Sequence, residues 1–120
     1  MSGSIKDRVA IVGMGCTRFG ELWNKGPSDL IVDAVTEAVA DAGIEIKDIQ
    51  AAWAGSIFSG HGGRSVSEPL RLQYIPITHC VNACASGHDA VRNASYAVAA
   101  GISHCIMSGG AGVLAMSNRD

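Results

Sequence analysis

The stretch Ile77-Thr-His-Cys-Val81-Asn-Ala-Cys84-Ala-Ser-Gly-His88 decides which fold this sequence predicts, because its pattern changes half-way along. Residues 77–81 are mostly apolar or β-branched, which is typical of a buried strand. From Ala85 onward, small apolar residues recur at helical spacing as far as Gly101, and they predict a tightly packed helix. A strand, a short turn that carries a cysteine, and a helix therefore follow one another.

The rest of the chain repeats this alternation. Val9–Met14 is a continuous apolar run that predicts a strand buried on both faces. Apolar residues from Leu30 to Ala42 recur at helical spacing, and they predict a helix capped by Ser28 or Asp29 and ended by Gly43. Further predicted elements are a strand at Ile49–Phe58, a short helix at Ser67–Tyr74 and a strand at His104–Ser108. The order β-α-β-α-β-α-β predicts an α/β fold with a mostly parallel sheet covered on both faces.

Composition excludes several classes of function. Nine Lys+Arg against eleven Asp+Glu give a net charge of −2, which argues against a nucleic-acid interface and against a polybasic membrane anchor. Hydrophobic residues make up 48% of the 120 residues and charged residues 17%, so we expect one folded domain with part of its surface covered. No apolar run is long enough to span a membrane, the first eight residues lack a signal-peptide core, and the four cysteines form no Cys-x-x-Cys pair. We therefore predict a cytoplasmic protein with free thiols.

Two kinds of ligand site fit the sequence poorly. The segment Gly13-Met-Gly-Cys-Thr-Arg18 lacks the last glycine of a dinucleotide-binding fingerprint, so we interpret it as a glycine turn followed by a loop. Potential metal-ligating side chains occur at His79, Cys80, Cys84, His104 and Cys105. Neighbouring residues of a strand point to opposite faces, and no second cysteine-rich knuckle follows, so we predict no metal site. We interpret Cys16, Cys80 and Cys105 as small buried hydrophobic residues.

Cys84 is the candidate catalytic residue. It lies between a buried strand and the first turn of a helix, where unpaired N–H groups and the helix dipole favour a thiolate. Small neighbours leave room for an electrophile, although a small residue at a crowded turn would produce the same pattern. His88 lies four residues further on as an alternative general base, but Asp89 is the one carboxylate nearby. We therefore interpret His88 as a helix residue without a catalytic role.

These residues resemble the thiolase family. The resemblance rests on Val81-Asn-Ala-Cys-Ala-Ser-Gly87, and on His104-Cys-Ile-Met-Ser-Gly-Gly-Ala-Gly-Val-Leu-Ala-Met-Ser-Asn118 with its glycine pair and Met-Ser. The opening segment 9–20 and the helix at 28–43 are also similar to thiolase beginnings, and are most similar to the sterol-carrier-type branch. The chain departs from the family pattern after Gly110, where many thiolases carry an acidic residue and this sequence has Ala-Gly-Val-Leu-Ala.

The resemblance implies a thiolase-like layered α/β sandwich, with residues 1–120 as its amino-terminal portion and the carboxy-terminal half absent. It implies that Cys84 accepts the acyl group in a ping-pong transfer between coenzyme A thioesters, with carbon–carbon bond cleavage or formation. The backbone N–H of Cys84 would be one donor of an oxyanion hole, and the preceding strand would border a dimer interface. The family's activating histidine and second cysteine lie in a later half of the chain, so we expect these residues alone to be inactive.

Three functions remain open at this point. The chain is part of an acyltransferase, a carbon–carbon lyase (aldolase) subunit that acts on acyl-CoA with a partner, or a non-catalytic module that binds a larger homologue. We expect acyl-CoA as substrate, and either a homo-oligomer or a complex with another subunit. We expect no bound cofactor, no nucleic acid and no membrane span.

Overall fold

The computed structural model describes residues 3–57, 63–102, 106–109 and 112–118, the last two ranges by their backbone. These residues form a single sheet with helices on both of its faces. The elements are β1 (Val9–Cys16), α1 (Pro27–Ala42), β2 (Ala51–Gly55), α2 (Arg64–Leu70), β3 (Ile77–Cys80), α3 (Ser86–Ala99), β4 (Ile106–Gly109) and β5 (Gly112–Asn118), with a 3₁₀ turn at Ile46–Asp48.

The sheet has the strand order β1-β5-β4-β2-β3. The pairs β2–β3 and β2–β4 are parallel, as alternating strands and helices require. The pairs β1–β5 and β4–β5 are antiparallel. The sequence prediction ended at the fourth strand and missed β5, which forms a hairpin with β4 and inserts beside β1. The sheet is therefore mixed, with as many antiparallel as parallel pairs among the described strands, where the prediction was a mostly parallel sheet.

Two separate apolar clusters hold the helices against the sheet. On one face, Val35 and Ala38 of α1 pack with Val66 and Leu70 of α2 over Ala52 of β2. On the other face, Ala94, Ala97 and Val98 of α3 pack over Ala51, and all four are buried. Neighbouring residues of β2 thus face opposite clusters, as the alternation of side chains along a strand requires. The predicted α/β class and the covering of both faces are confirmed.

Helix α1 is capped two or three residues before the predicted cap at Ser28 or Asp29. Its N-cap is Gly26, in an extended conformation, and Pro27 occupies the first helical position. The Asp29 carboxylate accepts a hydrogen bond from the Gly26 N–H (2.9 Å), so Asp29 stabilises the start of the helix from inside its first turn rather than as the cap. The predicted stop is confirmed, because Gly43 has a φ of 72° and its N–H donates to the Ala40 carbonyl.

The glycines of the opening segment do not form a turn. Gly13 and Gly15 lie inside β1, where α1 crosses the strand at very short range. A Cβ at Gly13 would lie 2.4 Å from the Ala38 carbonyl oxygen, and a Cβ at Gly15 would lie 2.0 Å from that of Ala34. The prediction of a glycine turn was wrong, since these glycines serve close helix–strand packing.

The outer face of β1 is not buried as predicted. Ile11 is 54% exposed and Met14 is 61% exposed, while the glycine face of the same strand is buried. The two glycines therefore face α1, and the large apolar side chains of β1 face away from it. The described residues of this chain leave that apolar surface open.

The remaining boundaries differ by a few residues. Strand β2 covers only the middle of the predicted Ile49–Phe58 segment. Strand β4 includes Ile106–Ser108 of the predicted His104–Ser108 segment, and the first two residues of that segment lie outside the described residues. Helix α2 lies earlier than the predicted Ser67–Tyr74, because Arg71 has a φ of 53° and stops the helix. Among the described residues, no helix has the length and apolar character needed to cross a bilayer.

Candidate functional site

The candidate site is the five-residue turn that joins β3 to α3. Cys84 lies one residue before Ala85, the N-cap of α3, and its side chain is exposed to solvent. The structure therefore places the thiol at the amino-terminal end of a 14-residue helix and at the surface. This is the position that the sequence predicted for Cys84, and its catalytic role stays a prediction.

The backbone of this turn is held in an uncommon conformation. Ala83 has a φ of 45°, in the left-handed region that residues with a Cβ rarely occupy. The Ala85 N–H donates to the Asn82 carbonyl (2.9 Å), and the Ser86 N–H donates to the Ala83 carbonyl (3.3 Å). Such conformations persist where surrounding structure enforces them, and they are frequent at active sites. Cys84 is thus carried on a tight, internally bonded turn rather than on an open loop.

The residues on either side of Cys84 do not shield it. Ala83 and Ala85 are exposed and have side chains of one methyl group each. Gly55, at the end of β2, lets the first turn of α3 approach the sheet, since a Cβ there would lie 2.2 Å from the Ser86 carbonyl oxygen. A bulky thioester can therefore approach the sulfur from solvent, while the backbone beneath is seated closely on β2.

Cys80, four residues before Cys84, is buried, whereas Cys84 is exposed. It is a free thiol at the end of β3 with 7% exposure. Burial raises the pKa of the Cys80 thiol, the Asp89 carboxylate raises it further, and the Arg92 guanidinium opposes both effects. Cys80 is thus held as a neutral thiol, and its predicted role as a small buried hydrophobic residue is confirmed.

Cys16 does not fit the same prediction. It lies at the end of β1, it is exposed, and its N–H donates to the Glu37 carboxylate (3.4 Å). The prediction of a buried Cys16 was wrong because the outer face of β1 is open. Cys105 lies outside the described residues.

The histidines do not join Cys84 in the described part of the chain. His88 is an exposed residue of α3, whereas Cys84 precedes the helix, so the four-residue spacing does not place the two on one helical face. His79 lies on β3 beside Cys80, and its buried Nε2 has no hydrogen-bond partner. Adjacent strand residues point to opposite faces, so His79 and Cys80 do not converge.

No group of three or more His, Cys, Asp or Glu side chains is placed to hold a metal among the described residues. His104 and Cys105, two of the five side chains considered for metal ligation, lie outside them. The site therefore consists of one exposed thiol at a helix start, set on a strained turn.

Comparison with known protein families identifies the family in which this site occurs. A model of the thiolase amino-terminal domain matches residues 9–120. The chain belongs to the thiolase family. The family predicted from the cysteine motif is confirmed, and the match includes β1, both sheet faces and the Cys84 turn.

Several thiolase-family relatives match most of the chain. An acetyl-CoA acetyltransferase of Methanocaldococcus jannaschii is 42% identical over 108 residues, which are 85% of this chain and 28% of the relative. Sterol carrier protein 2 of Gallus gallus is 33% identical over 105 residues, 84% of this chain and 19% of that protein. The chain thus spans less than a third of the length of these relatives.

Solved structures show the same thiolase-like fold. The "Ltp2-ChsH2(DUF35) aldolase" superposes with a TM-score of 0.75 at 23% identity, covering 87% of this chain and 27% of that one. An acetyl-CoA acetyltransferase from Syntrophomonas wolfei superposes with a TM-score of 0.69 at 22% identity, covering 84% and 28%. Since these identities are low, the superpositions concern the fold, which is that of a partial thiolase half-domain.

Sequence reasoning missed three features of the site: the positive φ of Ala83, the close approach at Gly55 and the buried hydroxyl of Ser86. No local pattern reports the first two. Ser86 carried a weak signal, because serine near a helix start commonly bonds to nearby backbone groups.

Proposed function

We propose that this chain supplies the acyl-accepting half of a thiolase-type site, with Cys84 as the nucleophile toward a coenzyme A thioester. The observation that supports the proposal is the placement of Cys84: an exposed thiol next to the N-cap of α3, on a turn with a strained residue, in a member of the thiolase family. The matched acetyl-CoA acetyltransferases use an acyl-CoA by their names.

The proposed step is an acyl transfer. The Cys84 sulfur attacks the thioester carbonyl carbon, a new carbon–sulfur bond forms, and the bond to the coenzyme A sulfur breaks. The proton lost by Cys84 passes through solvent to the departing coenzyme A thiolate. The start of a helix suits this step, because its N–H groups and dipole stabilise negative charge on sulfur and on the carbonyl oxygen. The Cys84 N–H is our proposed oxyanion donor.

Turnover needs more than this half. Breaking or forming a carbon–carbon bond beside the thioester requires proton transfer at carbon, and no hydrogen bond in the described part of the chain joins an acid or base to the Cys84 thiol. In the thiolase family the histidine and second cysteine that move these protons lie in a later part of the chain. We therefore propose that residues 1–120 take up one acyl group and do not turn over.

A carbon–carbon lyase with a partner subunit is the second candidate. One structural neighbour is named an aldolase, and it superposes with a TM-score of 0.75 against 0.69 for the Syntrophomonas acetyltransferase. The cysteine role separates the two candidates, because an acyltransferase forms an acyl–cysteine and an aldolase releases an aldehyde or ketone without one. An acyl adduct on Cys84 would therefore favour the first.

We also propose that β3 pairs with a second subunit. It is the last strand of the described sheet, its one partner there is β2, and the exposed Val81 follows it as the first residue of the Cys84 turn. An unpaired edge is a template for strand addition. Size-exclusion chromatography with light scattering tests this: a dimer or a defined hetero-complex is expected, and a monomer at all concentrations contradicts it.

We also propose a cytoplasmic location, because a reducing compartment keeps an exposed reactive thiol such as that of Cys84 reduced.

The test of acylation uses the whole chain with acetyl-CoA and intact-mass detection. We expect one acetyl group per chain and release of coenzyme A that stops at one equivalent. Cys84→Ala should abolish the adduct, and the matched variant Cys16→Ala, which removes another exposed thiol, should keep it. Continued release of coenzyme A beyond one equivalent would contradict the incomplete-site proposal, and an adduct that survives Cys84→Ala would contradict the assignment of Cys84.

A further inference from the structure

The start of α3, directly after the Cys84 turn, carries a buried polar side chain that the acyl-transfer step does not use. Ser86 is the first residue of α3 and is 4% exposed, although both Ala85 and Cys84 beside it are exposed. Burying a hydroxyl is unfavourable unless its hydrogen bonds are made. The hydrogen-bond partners of this hydroxyl therefore indicate its structural role.

The Ser86 hydroxyl makes two short hydrogen bonds, one on each side of the strained residue. It accepts from the Asn82 N–H (2.7 Å) and donates to the Ala83 carbonyl (2.7 Å). One hydroxyl thus bonds the Val81–Asn82 peptide group and the Ala83–Cys84 peptide group, and it spans Ala83, whose φ is 45°. Such a conformation is unfavourable for alanine, so it needs an external constraint of this kind.

Ser86 is itself anchored to the sheet. Its carbonyl lies so close to Gly55 of β2 that a Cβ on that glycine would be 2.2 Å from the oxygen and 2.4 Å from the carbonyl carbon. The backbone of Ser86 is therefore set by β2, and its hydroxyl transmits that position to the turn. Cys84 lies between the two bonded segments, so its sulfur and N–H are oriented through Ser86.

We propose that Ser86 is a positioning residue for Cys84: its hydroxyl holds Asn82 and Ala83 so that the cysteine is presented to an acyl donor in one orientation. This inference rests on the proposed function of Cys84 for its consequence in acyl transfer. The restraint that the Ser86 hydroxyl places on the turn is a separate property. It can be measured independently of Cys84 acylation.

The test compares Ser86→Ala with the wild-type chain in two measurements. In the first, the rate of acetylation of Cys84 by acetyl-CoA is followed by peptide mass spectrometry. We expect a loss of about tenfold or more, because a nucleophile displaced by a fraction of an ångström loses much of its orientation advantage. In the second, hydrogen exchange at the Asn82 amide is measured without any acyl donor, and we expect faster exchange in the variant.

Three controls distinguish positioning from general destabilisation. Ser95→Ala removes a hydroxyl of the same helix that donates to the Val91 carbonyl (2.8 Å), and it should leave Cys84 acetylation unchanged. Ser86→Thr keeps the hydroxyl and should retain most of the rate. Cys80 is an internal reporter, because it is buried and should stay unlabelled by iodoacetamide if only the turn has changed.

Each possible result either supports or contradicts the positioning role of Ser86. If the wild type is acetylated and Ser86→Ala is acetylated equally fast, Ser86 does not position Cys84. If the wild type is never acetylated, the proposed function fails, and the exchange measurement still decides whether Ser86 holds the turn. Unchanged exchange at Asn82 overturns the inference in either case. Should Ser86→Ala fail to fold, the Thr variant decides: a preserved rate supports the hydroxyl, and a lost rate in a folded protein contradicts it.

Discussion

Replacing Gly15 by alanine tests the closest contact between a helix and the sheet. A Cβ at this position would lie 2.0 Å from the Ala34 carbonyl oxygen and 2.8 Å from the Ala38 nitrogen, where ordinary contacts begin at 3.4 Å. Both atoms belong to the backbone of α1, so no side-chain rotation can relieve the clash. Helix α1 must move outward by roughly 1.4 Å, from 2.0 Å to about 3.4 Å.

That displacement affects the apolar cluster between α1, α2 and the sheet. Ala34, Val35 and Ala38 have exposures of 4%, 1% and 1%, and they form the centre of the α1–α2 cluster. Overpacking a core costs about 1–3 kcal/mol, and a backbone clash on this scale lies at the upper end. With an unfolding entropy of about 2.1 cal/mol/K per residue, a loss of about 3 kcal/mol lowers Tm by about 12 °C in a chain of this length.

Thermal unfolding followed by circular dichroism measures the effect, with Gly26→Ala as the matched control. Gly26 has a φ of −96°, and a Cβ there would meet nothing nearer than the Asp29 Oδ2 at 3.8 Å. We expect the control to change the stability by less than about 1 kcal/mol, the amount an N-cap substitution involves. A Gly15→Ala variant that melts within a few degrees of the wild type would show that α1 does not pack on β1 as described.

Two further predictions concern the helix start and the buried thiol. Asp29→Ala removes the acceptor of the Gly26 N–H and should cost about 1 kcal/mol in urea unfolding, whereas Ser28→Ala should be nearly neutral; equal effects would contradict the assigned cap. The pKa of Cys80 is raised in the folded state, so its contribution to stability is complete below the thiol's ordinary pKa and is lost as the pH rises through the folded-state value. The urea midpoint should therefore decrease between neutral and alkaline pH by more in the wild type than in Cys80→Ala. An equal decrease in both proteins would contradict the burial of this thiol.

The parts of the fold that sequence predicted are those with a local cause. Helix α1 has a continuous apolar stripe and a glycine stop, so its body and its end were predictable. Strand β5 was missed because its insertion beside β1 depends on a pairing partner distant in sequence, and nothing in the segment 112–118 specifies that partner. The glycines of β1 were misinterpreted since a glycine in a tight turn and a glycine under a crossing helix have the same residue pattern.

The features of the candidate site likewise divide into those with a local cause in the sequence and those that depend on distant residues. The position of Cys84 at a helix start follows from the change of period after Val81, which is local. Its surroundings do not, because the close approach of Ser86 to β2 depends on a glycine 31 positions earlier in the sequence. The exposure of Cys16 likewise depends on which part of the β1 face α3 covers, and no pattern near Cys16 records that.

The proposed function requires that the sulfur of Cys84 accepts an acyl group. The most direct measurement is peptide mapping of the chain after a brief incubation with isotopically labelled acetyl-CoA under reducing conditions. We expect label on the peptide that contains Cys84, and we expect hydroxylamine to remove it because the label is held as a thioester. Label confined to Cys16 or to lysines, or a chain that stays unlabelled while folded, would contradict it.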